Sequence, residues 1–232
     1  MSKKIAIFVE GLTEQEFVIK LVKELAGKRG VTFEVRKQFK SLLNFVELRT
    51  DNSSQPEIFV LMVNCATDSQ VKSQIKDQYE SLKNAGYSSI IGLRDIYPDF
   101  KREDVSKLEA VLYVGLTNDA ALPIKLHLAI LEVEAWFLEE LTHFGRIDQN
   151  ITPDKIVGCG FDPELTRAYE LESPAATLHA IYSTVGKAYR KNARHIQRTV
   201  EAISYDSLYV DVRGKAPSFD NFVHSLENSM FS

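Results

Sequence analysis

Three continuous runs of apolar residues recur in the first half of the chain, and a helical pattern follows each one. The runs are IAIFV at residues 5–9, IFVLMV at 58–63 and SIIGL at 89–93. Because none of them alternates with polar residues, each is typical of a strand buried on both faces of a parallel sheet. Strands that alternate with helices predict an α/β fold with a mostly parallel sheet flanked by helices.

Three further segments extend this pattern. VTFEV at residues 31–35 predicts another strand, whereas FKSLLNFVELR at 39–49 predicts a short helix. IKLHLAIL at 124–131 alternates apolar and polar positions, so it predicts a strand near the sheet edge. Farther along, the strand pattern fades and helical patterns dominate. We therefore predict an α/β domain over residues 1–145 and a mainly helical extension over 146–232, packed on that domain.

The composition is that of an ordinary soluble chain. The 232 residues are 44% apolar and 26% charged, with a formal net charge of −4. This length allows a sizeable core, and the slight negative charge means that an anionic partner would have to meet a local basic patch. Cys65 and Cys159 lack the spacing of a metal site or a disulfide framework. Neither a signal peptide nor a membrane-spanning run is evident, so we expect a cytoplasmic protein with no membrane partner.

Acidic residues follow the predicted strands. In open α/β sheets, ligands bind beyond the carboxyl ends of the strands, where parallel strands present their last residues at one edge. Carboxylate oxygens are the ligands that Mg²⁺ and Mn²⁺ prefer. We therefore predict a metal site formed from Glu10, Asp95, Asp99, Glu132 and Glu134. The alternative is that each acid caps a helix or lies in a solvated turn.

The turn after the first strand has its own chemistry. Gly11 permits a tight strand-to-helix turn and the close approach of a ligand, and the amides of the first helical turn can face a phosphate. Thr13 and Glu16 have the spacing of a capping box, so Thr13 is the predicted N-cap. We therefore predict that Gly11 and Thr13 form a phosphate-facing turn.

Basic residues recur in GKAYRKNARHIQRTVEAI, residues 186–203, which we predict as one helix. Their spacing places them on a single face of that helix. They are Lys187, Arg190, Lys191, Arg194, His195 and Arg198. Two interpretations remain open: the lysines and arginines contact nucleic-acid phosphates, or the residues form a solvated helix face.

Three short motifs occur in order along the chain: EGLTE at residues 10–14, RDIYPD at 94–99 and LEVEAWFLEE at 131–140. The first resembles the opening motif of the Toprim superfamily, which includes primase and topoisomerase domains and the nucleases of the overcoming-lysogenization-defect type. Together the three are similar to a prokaryotic branch of Toprim-like domains of unknown function. This resemblance implies a Toprim-like, Rossmann-like domain with Mg²⁺ at the strand ends and Glu10 as the catalytic acid or base.

One position departs from the pattern of that superfamily. Toprim enzymes usually carry two metal-binding aspartates, D-x-D, on the third strand. Here Asp95 is followed by Ile96 and then by Tyr97, where the second aspartate is usual. Asp99, or Glu132 with Glu134, is the candidate for the missing ligand. If none of them serves, the site holds one metal or none.

The leading functional hypothesis is Mg²⁺- or Mn²⁺-dependent cleavage of a nucleic-acid phosphodiester, in DNA or RNA, with Glu10 and Asp95 as catalytic residues. The resemblance to Toprim nucleases implies a role in anti-phage defence beside an ABC- or AAA-type ATPase. This chain lacks the G-x-x-x-x-G-K-[ST] pattern, so it cannot itself supply ATP hydrolysis by a P-loop. The alternative is a catalytically degenerate Toprim-like adaptor that binds such an ATPase. A nucleotide-binding protein is a weaker alternative, since G-x-G-x-x-G is absent. A homo-oligomer is left open.

Overall fold

A computed structural model describes residues 2–40, 42–50, 56–96, 102–117 and 119–232. Within these ranges the chain forms one six-stranded sheet. Its strands are β1 (Lys3–Val9), β2 (Val31–Phe39), β3 (Leu42–Thr50), β4 (Ile58–Asn64), β5 (Ser89–Asp95) and β6 (Ile124–Ala129). Their spatial order is β3-β2-β4-β1-β5-β6. Since β6 lies at one end of this order, its predicted place near the sheet edge is confirmed.

The sheet is mostly parallel. β1 pairs in parallel with β4 and β5, and β4 pairs in parallel with β2. β6 runs parallel to β5. The Ile90 N–H donates to the Pro123 carbonyl at 3.0 Å, and six residues later the Ile96 N–H donates to the Leu131 carbonyl at 3.1 Å, so residue numbers increase in the same direction along both segments. β3 is antiparallel to β2. The predicted α/β class is therefore confirmed.

Helices fill the connections and most of the chain after β6. They are α1 (Leu12–Ala26), α2 (Asp68–Asn84), α3 (Val105–Val111), α4 (Glu134–Glu139), α5 (His143–Ile147), α6 (Pro153–Gly158), α7 (Pro174–Ser183), α8 (Ala193–Ala202), α9 (Tyr205–Ser207) and α10 (Pro217–Phe231). A π-helical segment, Leu208–Val212, follows α9. In the described part of the chain, no helix combines the length and apolar character needed to cross a membrane.

Contacts between residues divide the chain into two compact units. The first unit contains Met1–Arg94, Asp104–Leu128 and Asn221–Ser232, and the second contains Asp95–Glu103 and Ala129–Asp220. Each unit is assembled from separated stretches of sequence. The domain boundary that we predict after residue 145 falls inside helix α5, and the division into two domains there stays a prediction.

The first unit has a core on both faces of the sheet. Residues 5–9 of β1 are all fully buried, and their side chains point alternately to opposite faces. On one face, Ala6 and Phe8 pack with Ile75 and Tyr79 of α2. A strand buried on both sides explains why its sequence shows no polar alternation.

The second unit has a separate aromatic core. Trp136 of α4 is buried and packs against Phe219, with ring centroids 5.2 Å apart. Its indole N–H donates to the Ser218 hydroxyl at 3.1 Å. Tyr182 of α7 meets Phe144 of α5 edge-on at 6.2 Å. The short helices of this unit are therefore joined by large side chains, each of which buries much apolar area.

The helix predicted over residues 39–49 is wrong, because Phe39 ends β2 and residues 42–49 belong to β3. The register aligns Phe45 with Arg36 and Leu42 with Phe39. Lys40 adopts a left-handed φ of 55° next to the chain reversal. Short apolar runs fit helix and strand patterns equally well. Here the hydrogen bonds available from β2 decide the outcome.

Candidate active site

Three buried carboxylates of the second unit gather around one lysine. Asp95 ends β5, while Glu132 and Glu134 lie where β6 leads into α4. They are only 1%, 5% and 0% exposed, respectively. The ammonium nitrogen of Lys191 lies 3.0 Å from Glu132 Oε1, 3.5 Å from Glu134 Oε2 and 3.8 Å from Asp95 Oδ2. We refer to these three acids as the acid cluster.

A strained turn places Glu132 in the acid cluster. Leu131 has a left-handed φ of 67°, and the Glu132 N–H donates to the Ile130 carbonyl at 3.1 Å. This is a γ-turn of the rarer hand, which is unfavourable for a residue with a side chain. Such a conformation costs about 1–3 kcal/mol and is found preferentially at functional sites. The strain therefore marks the connection between β6 and α4 as a functional candidate.

Each acid of the cluster is held on its other oxygen by a neutral donor. The Val133 N–H donates to Asp95 Oδ1 at 3.2 Å, and the Ala175 N–H at the start of α7 donates to Glu132 Oε2 at 2.9 Å. The Tyr189 hydroxyl donates to Glu134 Oε1 at 2.7 Å. These bonds fix the orientation of the three carboxylates.

The single helix predicted over residues 186–203 is wrong. Helix α7 ends at Ser183, Gly186 adopts a left-handed φ of 70°, and α8 begins only at Ala193. Asn192 is the N-cap of α8, and its side chain accepts the His195 N–H at 3.1 Å. Asparagine is among the residues most favoured at an N-cap, so Asn192 was the feature of the sequence from which a new helix start at this point could have been predicted. The six predicted basic residues therefore do not share one helix face.

The basic residues instead have different surroundings. Lys191 enters the acid cluster, and Lys187 lies 4.0 Å from Asp148. Arg198 donates to the Ala188 carbonyl and stacks over the Tyr182 ring. Arg190 and Arg194 are exposed. The predicted phosphate contacts are untested, and the two exposed arginines are the members most accessible to a large polyanion.

His195 has a structural place at the start of α8. Its Nδ1 accepts the Arg190 N–H at 3.0 Å. Burial and the charges of neighbouring arginines lower the pKa of His195 below its usual value. A neutral ring therefore stabilises the bend that precedes α8.

The EGLTE motif belongs to the first unit. Glu10 directly follows β1 and is half-buried. The predicted N-cap, Thr13, is wrong: α1 begins at Leu12 with Gly11 as its N-cap, and the Gly11 N–H donates to Glu14 Oε2 at 2.8 Å. A Cβ on Gly11 would lie 3.1 Å from that oxygen, so a larger residue here would require the Glu14 carboxylate to shift by a few tenths of an ångström. The Glu14 carboxylate therefore already accepts the Gly11 N–H, which is one of the donors that the predicted phosphate-facing turn would offer to a phosphate.

A second polar group adjoins the end of β1. Asn64, at the end of β4, donates from its side-chain amide to Gln15 Oε1 at 3.0 Å and accepts the Ala66 N–H at 3.1 Å. Burial, reinforced by the charge of Glu10, raises the pKa of Cys65 to about 12. The thiol is therefore neutral and is not a nucleophile.

The predicted acids thus have different outcomes. The structure brings Asp95, Glu132 and Glu134 together within the second unit. Glu10 belongs to the first unit, and its convergence with Asp95 and Glu132 stays a prediction. Asp99, like Tyr97, lies outside the described residues. Sequence reasoning missed the positions of Lys191 and Tyr189 in this site, because both had been placed on a helix that does not form.

A family model described as a domain of unknown function, DUF4276, matches residues 9–227. The chain belongs to the DUF4276 family. The matched range of this DUF4276 protein contains the acid cluster, Lys191 and the whole EGLTE motif. No curated protein and no solved structure matches the chain.

Proposed function

We propose that this DUF4276 protein is a Toprim-type nuclease that cleaves nucleic-acid phosphodiesters with the help of Mg²⁺ or Mn²⁺. The observation that carries the proposal is the acid cluster, in which three buried carboxylates surround a single cation. The sequence motifs that resemble Toprim domains support it. A pattern of oxygen ligands at strand ends is the usual setting for metal-assisted phosphoryl chemistry.

The side chains of the acid cluster match Mg²⁺ or Mn²⁺ in the type of ligand atom that they offer. Asp95, Glu132 and Glu134 present only oxygen, which suits Mg²⁺ and Mn²⁺. Their present spacing suits the Lys191 ammonium instead, at 3.0–3.8 Å, whereas Mg²⁺ requires oxygens at about 2.0–2.1 Å. Accordingly, none of the described parts of the chain holds three His, Cys, Asp or Glu side chains ready to bind a metal. The cluster would have to tighten after Lys191 leaves.

The chain's own residues have distinct roles in the proposal. Asp95, Glu132 and Glu134 would hold the metal, which polarises a phosphoryl oxygen and lowers the pKa of a bound water. The Ala175 N–H and the Tyr189 hydroxyl keep two of these carboxylates oriented. The EGLTE motif assigns Glu10 the acid–base role. Exposed Arg190 and Arg194 would contact the phosphate backbone.

A cleavage assay tests the proposal. Purified protein is incubated with labelled single-stranded DNA, double-stranded DNA and RNA, with Mg²⁺, with Mn²⁺ or with a chelator. We expect metal-dependent cleavage that falls by at least about 100-fold in Glu10→Gln and in Glu132→Gln. The matched control is Glu139→Gln, which changes another buried acid outside the cluster. Full activity in the chelator, or in Glu132→Gln, would contradict the proposal.

A second candidate function is a catalytically degenerate adaptor that binds an ABC- or AAA-type ATPase. The observation that favours it is Lys191, which already pairs with all three acids. An adaptor of this kind would co-purify with an ATPase from its native host and would bind no Mn²⁺. In either case a role in anti-phage defence is tested by counting plaques with and without the intact gene. Plaque counts that do not change would contradict that role.

A further inference from the structure

Strand β3 forms one edge of the sheet and exposes large apolar side chains. In the strand order β3-β2-β4-β1-β5-β6, its outer side meets no other strand of the described chain. Phe45, Val46 and Leu48 are 61%, 51% and 58% exposed, and Phe39 and Leu42 are each 67% exposed. Single exposed apolar residues are ordinary, but five within ten positions mark an interaction surface.

The opposite edge of the same sheet is protected. The Tyr113 hydroxyl accepts the Leu126 N–H at 2.9 Å and donates to the Leu126 carbonyl at 3.4 Å, so it occupies backbone groups that a further strand would need. Lys125 also lies in β6, and proteins commonly place lysine on an exposed edge. By contrast, the nine residues of β3 contain neither lysine nor proline. Within the described residues, the backbone–backbone hydrogen bonds of β3 go to β2 alone.

One face of the β3 edge is apolar. Phe45 and Leu48 pair with Arg36 and Glu34, which are alternate residues of β2 and therefore point to the same side of the sheet. Val46 has no partner in the register and forms a β-bulge between them. The bulge thus brings the two large apolar side chains to one face.

The other face of the same edge carries two opposite charges. Glu47 and Arg49 pair with Val35 and Phe33 of β2, so they lie on the face opposite to Leu48. The Arg49 guanidinium lies 2.6 Å from the Glu47 carboxylate, and the side chains are 28% and 41% exposed, respectively. Both charges can therefore reach a strand added at the edge.

This stretch is complementary to a second copy of itself. When two β3 strands run antiparallel about a two-fold axis at Leu48, each Leu48 lies opposite Leu48 of the other copy. In the same register each Glu47 lies opposite Arg49 of the other copy. Opposite charges and apolar side chains stabilise an antiparallel pair when they lie directly across from each other. Such self-complementarity is what a two-fold interface requires.

We propose that β3 is a homodimer interface, in which the β3 strands of two copies pair antiparallel about a two-fold axis at Leu48 and join both sheets into one. A helix laid on the sheet would cover one face of the edge, whereas an added strand uses both faces. A second copy is the occupant because its own sequence supplies the arginine for Glu47 and the glutamate for Arg49. The interface uses no residue of the acid cluster, so it stands apart from the proposed function.

Sedimentation equilibrium of the full chain, over a wide range of concentrations, tests the interface. We expect a monomer–dimer equilibrium. Leu48→Lys places two ammonium groups together at the axis, so its dimer dissociation constant should rise at least about 30-fold, because each dimer carries the change twice. Leu165→Lys is the matched control, since it changes a leucine that is 83% exposed outside β3. Its dissociation constant should equal that of the wild type.

Two results of that measurement would overturn the proposal. A wild-type chain that stays monomeric at every concentration would leave the β3 edge for a strand of another protein. A Leu48→Lys dimer as tight as that of the wild type would place the dimer interface elsewhere.

The pairing of charges has its own test. Glu47→Lys brings a like charge against Arg49 of the second copy, so the dimer dissociation constant should rise about tenfold. Glu109→Lys makes the same change in net charge at an exposed acid of α3 and should leave the constant unchanged. Equal weakening of the dimer by both changes would contradict the register centred on Leu48.

Chemical cross-linking tests the two-fold axis without a charged substitution. In a Cys159→Ser background, Leu48→Cys places two thiols side by side across the axis, and a short bismaleimide should link the copies covalently. Cys65 is buried and does not compete. In Leu42→Cys the two thiols would lie about 40 Å apart, so this control should not be linked. Equal yields from the two variants, or no covalent dimer from Leu48→Cys, would overturn the proposal even if Leu48→Lys failed to fold.

Discussion

Two groups of buried acids in the second unit differ in how their charge is balanced. Glu139 and Glu140, at the end of α4, each have an arginine of their own: Arg167 lies 3.6 Å from Glu139, and Arg146 lies 3.0 Å from Glu140. The three carboxylates of the acid cluster instead converge on the ammonium of one residue, Lys191. In one group each acid therefore has its own arginine, and in the other group three acids meet at one lysine.

The surroundings of Glu140 show what a structural acid requires. One oxygen accepts from the Thr142 N–H at 3.0 Å and from the Thr142 hydroxyl. The other accepts from Arg146 and from the Ser204 N–H, both at 3.0 Å. A carboxylate with four donors ties chain segments together and has little capacity for a ligand. By contrast, the three acids of the acid cluster direct their oxygens at one cation, an arrangement found at functional sites.

The largest effect on stability is expected for Glu140→Ala. This change leaves the Ser204 and Thr142 N–H groups without their acceptor and removes the partner of Arg146. The free energy of unfolding, measured with urea, should fall by about 3 kcal/mol. Glu201→Ala, at an exposed position, is the control and should change it by less than about 0.5 kcal/mol. If the two changes lowered the free energy of unfolding equally, Glu140 would not be a structural acid.

The next effect concerns pH. Burial, reinforced by the charge of Arg146, lowers the pKa of His143 to about 4. The histidine of the unfolded chain has a pKa near 6.5, so between these values the unfolded chain takes up a proton that the folded protein excludes. Stability is full above pH 6.5 and falls as the pH drops toward 4. Between pH 7 and pH 5 we expect a loss of about 2 kcal/mol from this group.

The measurement for His143 compares urea unfolding of the wild type and His143→Gln at both pH values. The loss on going to pH 5 should be smaller in His143→Gln by about the same 2 kcal/mol. Parallel pH dependence in the two proteins would show that His143 does not titrate as its burial requires.

A smaller effect is expected for Tyr189→Phe, which removes one hydroxyl from the acid cluster. Glu134 loses the donor at 2.7 Å, so the free energy of unfolding should fall by about 1 kcal/mol. If Glu134 binds metal, the same change should also weaken Mn²⁺ binding, since the carboxylate loses its orientation. Tyr209→Phe, at a residue that is 42% exposed, should alter neither quantity. A Tyr189→Phe protein with unchanged stability would argue against a role in holding Glu134.

The smallest effect sharpens the comparison between the two acid groups. Glu132→Gln keeps an oxygen for the Ala175 N–H and relieves repulsion within the acid cluster, so stability should change by less than about 0.5 kcal/mol. The same change at Glu139 removes a matched charge and should cost about 1 kcal/mol. Urea unfolding of both variants gives the answer. A larger loss in Glu132→Gln would mean that the acid cluster is a structural group.

The sequence by itself determined what depends on neighbours along the chain. Residues 5–9 form a buried strand because every position is apolar, and α1 follows from apolar residues at helical spacing. The acids at the ends of β5 and β6 were also evident, since a polar residue that stops an apolar run is a local signal. These features required no knowledge of distant contacts.

Only the tertiary structure decided the rest. Residues 42–50 became β3 because β2 supplied hydrogen bonds, although their own pattern was ambiguous. Lys191 entered the acid cluster because Asn192 starts α8 after it, and because the acids that attract it lie 57 to 96 positions earlier in the chain. Local patterns report which face of an element is apolar, whereas the pairing of charges depends on which distant segments fold against one another.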